Sequence, residues 1–398
     1  MSTLKNYATI TAAYWAFTLT DGALRMLVVL YFHQLGYNPL EIASLFLFYE
    51  FFGIITNLFG GWLATRFGLN STLFSGLILQ IVALYLLSLE NNLSIVYVMA
   101  VQAISGIAKD LNKMSAKSSL KLLLPEGSQG KLFQWVSLLT GSKNTLKGVG
   151  FFLGGLLLSV FGYQSALLIM AATLLIIGTI CFVLLPTDLS VKKYKVKFKQ
   201  LFSKSQNINF LSAARFFLFG ARDIWFVVAL PVFLQTTLNW QHTQVGLLMA
   251  GWIILYGLVQ TLTPDLLGYK KAGHAPNGLT ATKAAFALLI FPLVMVVAMQ
   301  AGIDVTLIII AGLLSFAIVF AINSAIHSYL ILAYSNQKDV SIDVGFYYMA
   351  NASGRLFGTL LSGFIFQQYG FIACIITSAL MIFICSLFSM RLDKAKTE

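Results

Sequence analysis

The sequence KGVGFFLGGLLLSVFGY at residues 147–163 has a counterpart, RLFGTLLSGFIFQQYGF, at residues 355–371. Moving the first stretch along the chain until Lys147 falls on Arg355 also aligns three glycine pairs: Gly150 with Gly358, Gly155 with Gly363, and Gly162 with Gly370. Glycines at helical spacing let neighbouring helices approach closely, so packing alone accounts for them. The shared basic residue in an apolar helix needs another explanation. The pattern predicts two related halves, in which these stretches are equivalent.

Two weaker matches extend the repeat. LGYNPLEIA, which starts at residue 35, aligns with LNWQHTQVG, which starts at residue 238, and GALR at 22–25 is similar to GARD at 220–223. Between the halves lies the one long polar stretch, at about 187–209. We therefore predict an N-terminal six-helix bundle over 1–186, a basic cytoplasmic linker over 187–209 and a C-terminal six-helix bundle over 210–398.

The composition is that of a membrane protein. Of 398 residues, 58% are hydrophobic and 10% are charged, and the mean hydropathy is +0.83. Such values lie far from those of soluble domains. Apolar stretches of about 20 residues, each long enough to cross the bilayer as a helix, predict an all-α membrane protein with twelve spans. We place them at 10–33, 40–65, 70–89, 94–120, 132–161, 164–186, 210–235, 243–266, 277–300, 303–334, 341–367 and 370–390.

The basic residues predict the orientation. Sixteen of the 26 Lys and Arg fall in loops or at span ends on one side, and the six loops on the other side carry none. Positive loops stay in the cytoplasm, so both termini are expected there, and no removable signal peptide is expected at the N-terminus. This topology explains much of the net charge of +12 without any nucleic acid as partner. The central basic loop is expected to contact anionic lipid headgroups.

Several classes of function find no support in the sequence. Cys181, Cys374 and Cys385 lie in apolar runs with no CxxC or Cys/His spacing, so neither a disulfide framework nor a metal site is predicted. No nucleophile and base are suitably spaced for catalysis, and no soluble sensing domain is evident. We therefore expect neither an enzyme nor a receptor, and no cofactor.

Ionisable residues inside the spans carry the functional signal, because each costs about 2.5–3.5 kcal/mol at a helix centre. Removing the sixteen loop residues from the 26 Lys and Arg leaves ten inside: Arg25, Lys109, Lys113, Lys117, Lys143, Lys147, Arg215, Arg222, Lys283 and Arg355. Four acids oppose them: Asp21, Glu50, Asp110 and Asp223. Structural pairing alone would need nearly equal numbers, so the excess positive charge predicts an anionic ligand.

The stretch SGIAKDLNKMSAKSSLKLL at 105–123 carries four lysines, each four residues after the last: Lys109, Lys113, Lys117 and Lys121. This spacing keeps them on one helix face with a drift of only about 40° per step. Lys109 and Lys113 are expected near mid-depth, whereas Lys117 and Lys121 approach the cytoplasmic side, where reaching out to the interface is an alternative role. Lys143 and Lys147 repeat the spacing in the fifth span.

Each acid has two interpretations. Asp110 lies beside Lys109 and Lys113, and Asp21 lies one turn from Arg25. Each of these two acids either forms a structural ion pair or exchanges its partner with substrate during transport. Glu50 has no basic residue nearby in sequence, which makes it a candidate proton carrier, since burial raises the pKa of a carboxyl group. Asp223 adjoins Arg222 and is expected to orient it.

Several fixed cations suit a ligand with more than one oxyanion group. Arg binds phosphate-like groups through paired hydrogen bonds and Lys binds them as a point charge, whereas a monocarboxylate needs only one arginine. The spacing thus favours a small organophosphate or similar polyanion. It does not distinguish phosphorus from arsenic.

Twelve spans, a basic central loop and two related halves resemble the major facilitator superfamily over essentially the whole chain. The signature of that superfamily in the loop after the second span is present only in part. GGWLATRFGLN at 60–70 keeps Gly61, Arg66 and Gly68, but Thr65 stands where an acid is expected. We therefore do not assign to this chain the gating role that the motif has in the superfamily.

Three runs resemble a narrower family more closely: YWAFTLTDGALRMLVVLYFHQLGY (14–37), SGIAKDLNKMSAKSSLKLL (105–123) and GSKNTLKGVGFFLGG (141–155). They are similar to the organoarsenical efflux permeases of bacterial arsenic-resistance clusters, the ArsJ family. The resemblance implies a carrier in the bacterial inner membrane that exports 1-arseno-3-phosphoglycerate. We expect the carrier to be a monomer. A glyceraldehyde-3-phosphate dehydrogenase makes this ester from arsenate, and outside the cell it decomposes to arsenate and 3-phosphoglycerate.

The resemblance also suggests how the cations divide, since this substrate has an oxyanion at each end. We expect Lys109, Lys113, Lys143 and Lys147, with Asn112 and Lys117, at one end, and Arg25, Arg222 and Arg355 at the other. Transport would proceed by alternating access, as the two halves rock around a midplane site. A sugar-phosphate importer that exchanges for phosphate would need similar cations. A multidrug exporter would need a wider apolar cavity and few cations, which the sequence contradicts.

Overall fold

A computed structural model describes residues 3–37, 39–90, 93–125, 127–185, 205–269 and 275–393, and within these ranges the regular structure is entirely α-helical. The helices are α1 Thr3–Gln34, α2 Pro39–Ser44, α3 Leu47–Phe67, α4 Leu69–Leu87, α5 Ile95–Leu123, α6 Gln129–Leu184, α7 Gln206–Phe226, α8 Ala229–Thr236, α9 His242–Leu266, α10 Gly278–Gln300, α11 Val305–Tyr334 and α12 Val340–Ser389. Most of the predicted linker and its lysines lie outside the described residues, so the predicted domain boundaries stay a prediction.

The helices account for the twelve predicted spans. By length and composition, nine stretches of the described chain are long and apolar enough to cross a membrane. Two of the nine, α6 and α12, are 56 and 50 residues long and hold two predicted spans each. Helices α7 and α8 together form another of the nine stretches and hold one predicted span. The remaining predicted span falls on α5, which carries the row of lysines.

Glycine interrupts both long helices at equivalent positions. Gly162 in α6 has φ 73° and ψ 178°, and Gly370 in α12 has φ 78° and ψ −175°. This backbone region is essentially open to glycine alone. The two glycines were aligned by the repeat, so the predicted equivalence of the fifth and eleventh spans is confirmed by a shared backbone break.

The chain forms two compact units. Unit 1 comprises Met1–Pro125, Ser142–Ser203 and Asn336–Met349. Its largest apolar cluster draws on α1, α4, α5 and the second half of α6, with Leu27, Leu84, Val98 and Leu167 almost fully buried. Because lipid tails are as apolar as these side chains, the cluster stabilises the unit in a membrane chiefly through close van der Waals packing.

Unit 2 comprises Glu126–Gly141, Lys204–Ser335 and Ala350–Glu398. Its core is rich in aromatic side chains, among them Trp225, Trp252, Phe316 and Phe320, all at most 1% exposed. The ring centroids of Trp225 and Phe316 lie 5.2 Å apart with the rings nearly perpendicular. This edge-to-face arrangement is the one that aromatic quadrupoles prefer.

Each unit contains the same close helix crossing. In unit 1, a Cβ on Gly150 of α6 would lie 2.8 Å from the carbonyl oxygen of Leu19 and 3.1 Å from the Cα of Gly22. In unit 2, a Cβ on Gly358 of α12 would lie 2.5 Å from the carbonyl oxygen of Gly220 in α7. The crossings bring α6 against α1 and α12 against α7, one turn after Lys147 and Arg355.

Candidate functional site

Helix α5 places its lysines inside unit 1. The helix begins where Ser94 caps it, its hydroxyl accepting a hydrogen bond of 3.3 Å from the amide of Tyr97. Close approaches at Gly106 to α3 and at Gly76 of α4 then enclose the helix on two sides. Every residue from 110 to 120 is buried as a result. Lys117 is 4% exposed, which places it in the interior, whereas Lys121 is half-buried near the helix end.

Asp110 holds two of the lysines. Its Oδ1 lies 2.5 Å from Nζ of Lys113, and its Oδ2 lies 3.8 Å from Nζ of Lys109. Gly53 of α3 makes room for this carboxylate, since a Cβ there would lie 2.7 Å from Oδ2 of Asp110. These contacts agree with the ion-pairing interpretation of Asp110, and one negative charge is shared by two ammonium groups.

Tyr348 of α12 covers the next part of the lysine row. Its hydroxyl accepts a short hydrogen bond from Nζ of Lys117. Nζ of Lys113 and Nζ of Lys117 lie 4.5 and 4.6 Å from the centre of its ring. A cation over an aromatic face is stabilised by the ring quadrupole, the more so when both are desolvated. Tyr348 thus positions two lysines that lie more than 200 residues away in sequence.

Tyr49 of α3 connects the lysines with α1. Its hydroxyl donates a hydrogen bond of 2.5 Å to Asp21, and Nζ of Lys109 lies 3.9 Å from the centre of its ring. The guanidinium of Arg25 stacks 4.8 Å from the same ring. The aromatic ring therefore orders an acid and two cations around itself.

Arg25 forms a salt bridge with Glu50 of α3. Its Nη2 lies 3.1 Å from Oε1 of Glu50. The side chain of Arg25 extends across to α3 for this salt bridge, while Asp21, one turn back along α1, also acts electrostatically on Arg25. The structural pairing of Asp21 with Arg25 stays a prediction. Glu50 is isolated in sequence but not in the structure, since its partner comes from another helix. Its role as a proton carrier stays a prediction. Its alternative assignment to ion pairing agrees with this contact.

Helix α6 adds two more lysines to unit 1. Trp15 of α1 donates a hydrogen bond of 2.8 Å from Nε1 to the hydroxyl of Ser142, which fixes α6 next to Lys143. Lys143 is within electrostatic range of four charged residues of unit 1: Lys109, Lys113, Asp21 and Asp110. Lys147, half-buried one turn on, has its Nζ 5.9 Å from the centre of the Phe151 ring.

Asn112 faces a different helix. It is fully buried, and its Nδ2 donates a hydrogen bond of 3.2 Å to the carbonyl oxygen of Leu73 in α4. Helix periodicity explains the difference, because one residue separates it from Lys113 by about 100° around α5. Its amide serves the packing of α5 on α4, and a role for Asn112 in substrate binding stays a prediction.

In unit 2, Asp223 binds the two predicted arginines. Its Oδ1 lies 2.5 Å from Nη2 of Arg222, and its Oδ2 lies 3.1 Å from Nε of Arg355 in α12. The carboxylate is fully buried, whereas the Arg355 side chain is 36% exposed. The predicted orientation of Arg222 by Asp223 agrees with this contact. The alignment of Arg355 with Lys147 places both basic residues at the close glycine crossings of their units.

Positive charge exceeds negative charge around the lysine cluster, by which we mean Lys109, Lys113, Lys117 and Lys143 with Asp110 and Tyr348. The segments of α1, α3, α5 and α6 that belong to unit 1 carry six cations away from their helix ends: Arg25, Lys109, Lys113, Lys117, Lys143 and Lys147. Three carboxylates stand on the same segments, Asp21, Glu50 and Asp110, and the α12 segment of unit 1 that carries Tyr348 adds a fourth, the buried Asp343. Such an arrangement attracts and binds anions, and its ammonium groups suit phosphate-like oxygens.

Apolar helices in two units with equivalent crossings, and cations held in their interiors, define a multi-pass membrane transporter. The sequence profile of the Major Facilitator Superfamily matches residues 10–330, which is most of the chain. The chain belongs to the major facilitator superfamily. Its members carry solutes across membranes, and the relatives below are transporters rather than enzymes.

Solved structures share the fold over nearly the full length. A bacterial homologue of the iron transporter ferroportin, in an outward-facing state, has a TM-score of 0.78 at 13% identity and covers 97% of this chain and 98% of its own. The human organic anion transporter MFSD10 (TETRAN) has a TM-score of 0.76 at 14% identity, with 98% and 100% covered. The fucose:proton symporter of E. coli has a TM-score of 0.73 at 13% identity, with 98% and 99% covered. No curated protein sequence matches the chain significantly.

Proposed function

We propose that this transporter exports a small polyanion, an arsenylated organophosphate of the type of 1-arseno-3-phosphoglycerate, and thereby confers resistance to arsenate. The single observation that carries the polyanion assignment is the lysine cluster, in which Asp110 is shared between Lys109 and Lys113 while Lys143 lies within electrostatic range of all three. The resemblance of three sequence runs to the ArsJ family supports the arsenic ester as the particular cargo.

The physical argument is one of charge compensation. Ammonium groups gathered in a low-dielectric interior repel one another, and a bound polyanion removes that repulsion. Binding energy of this kind is available to a doubly charged oxyanion and much less to a neutral solute. We therefore propose that Lys109, Lys113, Lys117 and Lys143 bind one oxyanion group of the substrate. That Arg25, Arg222 and Arg355 serve a second group stays a prediction.

The membrane potential favours the proposed direction. In a bacterial inner membrane with both termini in the cytoplasm, an exported anion leaves a negative interior. Each charge gains about 2.3 kcal/mol per 100 mV. Export by alternating access therefore needs no coupling ion, although proton exchange is compatible with it. The cytoplasmic partner in function would be the glyceraldehyde-3-phosphate dehydrogenase that makes the ester.

The lysine cluster favours one second candidate. An ammonium group binds phosphate and arsenate oxygens alike as a point charge. A carrier that exchanges another small organophosphate for phosphate would therefore use the same contacts. Counterflow in vesicles separates the two, by comparing the arsenic ester with glycerol 3-phosphate as the trans substrate.

The main experiment is transport into everted membrane vesicles that contain the protein. The vesicles receive arsenate, glyceraldehyde 3-phosphate, NAD and the dehydrogenase, and each component is omitted in turn. We expect vesicular arsenic to accumulate only with the complete mixture. Accumulation without the dehydrogenase would overturn the arsenic ester as cargo.

Variants connect this activity with the lysine cluster. Lys113→Gln and Lys143→Gln are expected to lower the transport rate roughly tenfold or more, since each removes a charge-assisted contact worth about 1.5–3 kcal/mol. Lys283→Gln is the matched control, because Lys283 is exposed on α10. Equal rates in the three variants at equal protein levels would remove the lysine cluster from the substrate path.

A further inference from the structure

Tyr14 of α1 has a buried hydroxyl without a hydrogen-bond partner. The residue is 1% exposed, and no described residue donates a hydrogen bond to this hydroxyl or accepts one from it. A phenolic O–H is both a donor and an acceptor, and a polar group left unpaired in the interior carries a desolvation cost. Phenylalanine would fill the same space without that cost, so the hydroxyl of Tyr14 calls for a functional explanation.

The groups that act electrostatically on Tyr14 place it beside the lysine cluster. They are Asp21 of α1, Asp110 of α5 and Tyr348 of α12, all in unit 1. Asp110 and Tyr348 belong to the lysine cluster itself. Asp21 follows Tyr14 by seven residues, which is about two helical turns, so both side chains lie on one face of α1. Tyr14 therefore extends the lysine cluster onto α1.

The acceptor groups near Tyr14 are engaged with other donors. Oδ1 of Asp21 accepts a hydrogen bond of 2.5 Å from the hydroxyl of Tyr49. Both carboxylate oxygens of Asp110 face lysines of the cluster, at 2.5 and 3.8 Å. The hydroxyl of Tyr348 accepts a hydrogen bond from a third lysine. A bound ligand can therefore supply the acceptor that the hydroxyl of Tyr14 lacks among the described residues.

The backbone around Tyr14 is fixed in place. The next residue, Trp15, donates a hydrogen bond of 2.8 Å to Ser142 of α6, which directly precedes Lys143. One turn further along α1, the hydroxyl of Thr18 donates a hydrogen bond of 2.8 Å to the carbonyl oxygen of Tyr14. A buried tyrosine with two side-chain torsions loses little conformational entropy when it binds a ligand.

We propose that the hydroxyl of Tyr14 donates a hydrogen bond to an oxyanion group held by the lysine cluster. This inference rests on the proposed function, to which it adds a neutral binding residue. An oxyanion offers acceptor oxygens only, so the hydroxyl acts as the donor. Because the hydroxyl is unpaired before the ligand binds and paired afterwards, its contribution goes entirely to the bound state.

The test is equilibrium binding of radiolabelled 3-phosphoglycerate, a stable organic polyanion, to the purified full-length protein. Tyr14→Phe is expected to weaken binding at least tenfold, because it removes one hydrogen bond to a charged group. Tyr163→Phe is the matched control. Tyr163 is 4% exposed, and its hydroxyl likewise has no partner among the described residues. The groups that act on it are Tyr31, Glu90 and Tyr97, which are not part of the lysine cluster.

The stability of the ligand-free protein gives a second readout, of opposite sign. Tyr14→Phe and Tyr163→Phe each remove an unpaired buried hydroxyl, so both are expected to keep or raise the unfolding temperature. Tyr49→Phe is expected to lower it, because the hydroxyl of Tyr49 donates a hydrogen bond to Asp21. A lower unfolding temperature in Tyr14→Phe would show that its hydroxyl is bonded within the protein and would overturn the inference.

The binding results distinguish this inference from the proposed function. Weaker binding by Tyr14→Phe, with Tyr163→Phe at the wild-type affinity, supports the role of Tyr14. Equal affinities of the two phenylalanine variants overturn it and leave water as the partner of the hydroxyl. If Lys113→Gln and Lys143→Gln still weaken binding in that case, the proposed function stands. Absence of binding by the wild type overturns the inference together with the polyanion site.

Discussion

Nζ of Lys113 lies 2.5 Å from Oδ1 of Asp110, and the other oxygen of this carboxylate faces Lys109 at 3.8 Å. The Asp110 side chain is 2% exposed, and the Lys113 and Lys109 side chains are 11% and 17% exposed. A single negative charge in the interior of unit 1 thus stabilises two positive ones. Before any ligand binds, Asp110 is therefore the carboxylate that stabilises Lys109 and Lys113 in the interior.

Asp110→Asn is therefore expected to destabilise the protein strongly. Removing one partner of a buried ion pair typically costs about 3–5 kcal/mol, because the other charge stays buried. The measurement is the unfolding transition of the detergent-purified protein. Adding Lys113→Met to Asp110→Asn is expected to restore part of the loss. Asp304→Asn is the control, since Asp304 caps α11 and asparagine caps equally well; equal stability of the two single variants would contradict the shared-charge account.

Glu50→Gln is expected to change stability little. The side chains of Arg25 and Glu50 are 26% and 35% exposed, and pairs in contact with solvent contribute about 0–1 kcal/mol. If Glu50 serves as an ion-pair partner, its replacement by glutamine should also leave the pH dependence of transport unchanged. Transport rates at several pH values, with and without a proton gradient, check this. Loss of the gradient-driven component in Glu50→Gln alone would instead make Glu50 the proton carrier.

Asp223→Asn is expected to be more damaging than Arg355→Gln. Asp223 is fully buried and contacts both Arg222 and Arg355, whereas Arg355 is partly exposed. Loss of the acid leaves two guanidinium groups without this contact, while loss of Arg355 leaves Asp223 with Arg222. We expect a difference of about 2 kcal/mol or more in the free energy of unfolding. The opposite order of the two variants would show that the carboxylate does not organise the arginines.

Adjacent glycines in α6 give a matched test of helix packing. A Cβ on Gly154 would lie 2.2 Å from the carbonyl oxygen of Ala23, whereas a Cβ on Gly155 would lie 3.5 Å from the nearest atom, Cδ1 of Leu30. Gly154→Ala is expected to prevent folding or separate α6 from α1. Gly155→Ala is expected to be neutral or to stabilise by about 0.5–1 kcal/mol, since alanine is the better helix former. Folded yield by fluorescence-detected gel filtration distinguishes the two.

The second half of the chain repeats this test. A Cβ on Gly354 of α12 would lie 2.2 Å from the carbonyl oxygen of Phe216, while Gly363 has no atom within 4 Å of such a Cβ. Gly354→Ala is therefore expected to resemble Gly154→Ala, and Gly363→Ala to resemble Gly155→Ala. Tolerance of alanine at both close crossings would contradict the packing described for the two units.

The features that sequence predicted well are those with a local or periodic signal. Apolar length predicted the spans, and the aligned glycines predicted equivalent breaks at Gly162 and Gly370. The contacts of Asp110 with Lys113, and of Asp223 with Arg222, join residues at most three positions apart. Helix geometry brings Asp110 and Lys113 together because they lie three positions apart, whereas Arg222 and Asp223 are neighbours in the chain and meet through the length of the arginine side chain.

The features that sequence missed depend on which helices are neighbours. Arg25 reaches Glu50 only because α1 lies beside α3, and Tyr348 covers Lys117 because the first part of α12 lies beside α5. The sequence places Arg215 among the basic residues inside the spans but gives it no partner, whereas the structure buries it with Ser324 and Asn351. A single sequence contains no spacing signal for such contacts between distant segments.

The paired breaks at Gly162 and Gly370 also have a consequence for genetics. Both residues adopt a backbone conformation that costs other amino acids about 1–3 kcal/mol, and neither is crowded by neighbouring atoms. Saturation mutagenesis should therefore show that both positions are intolerant of substitution in the same way. Every replacement of either glycine should be harmful, regardless of the size of the new side chain. Two such positions with the same mutational profile would be evidence that the two halves of the gene arose by duplication.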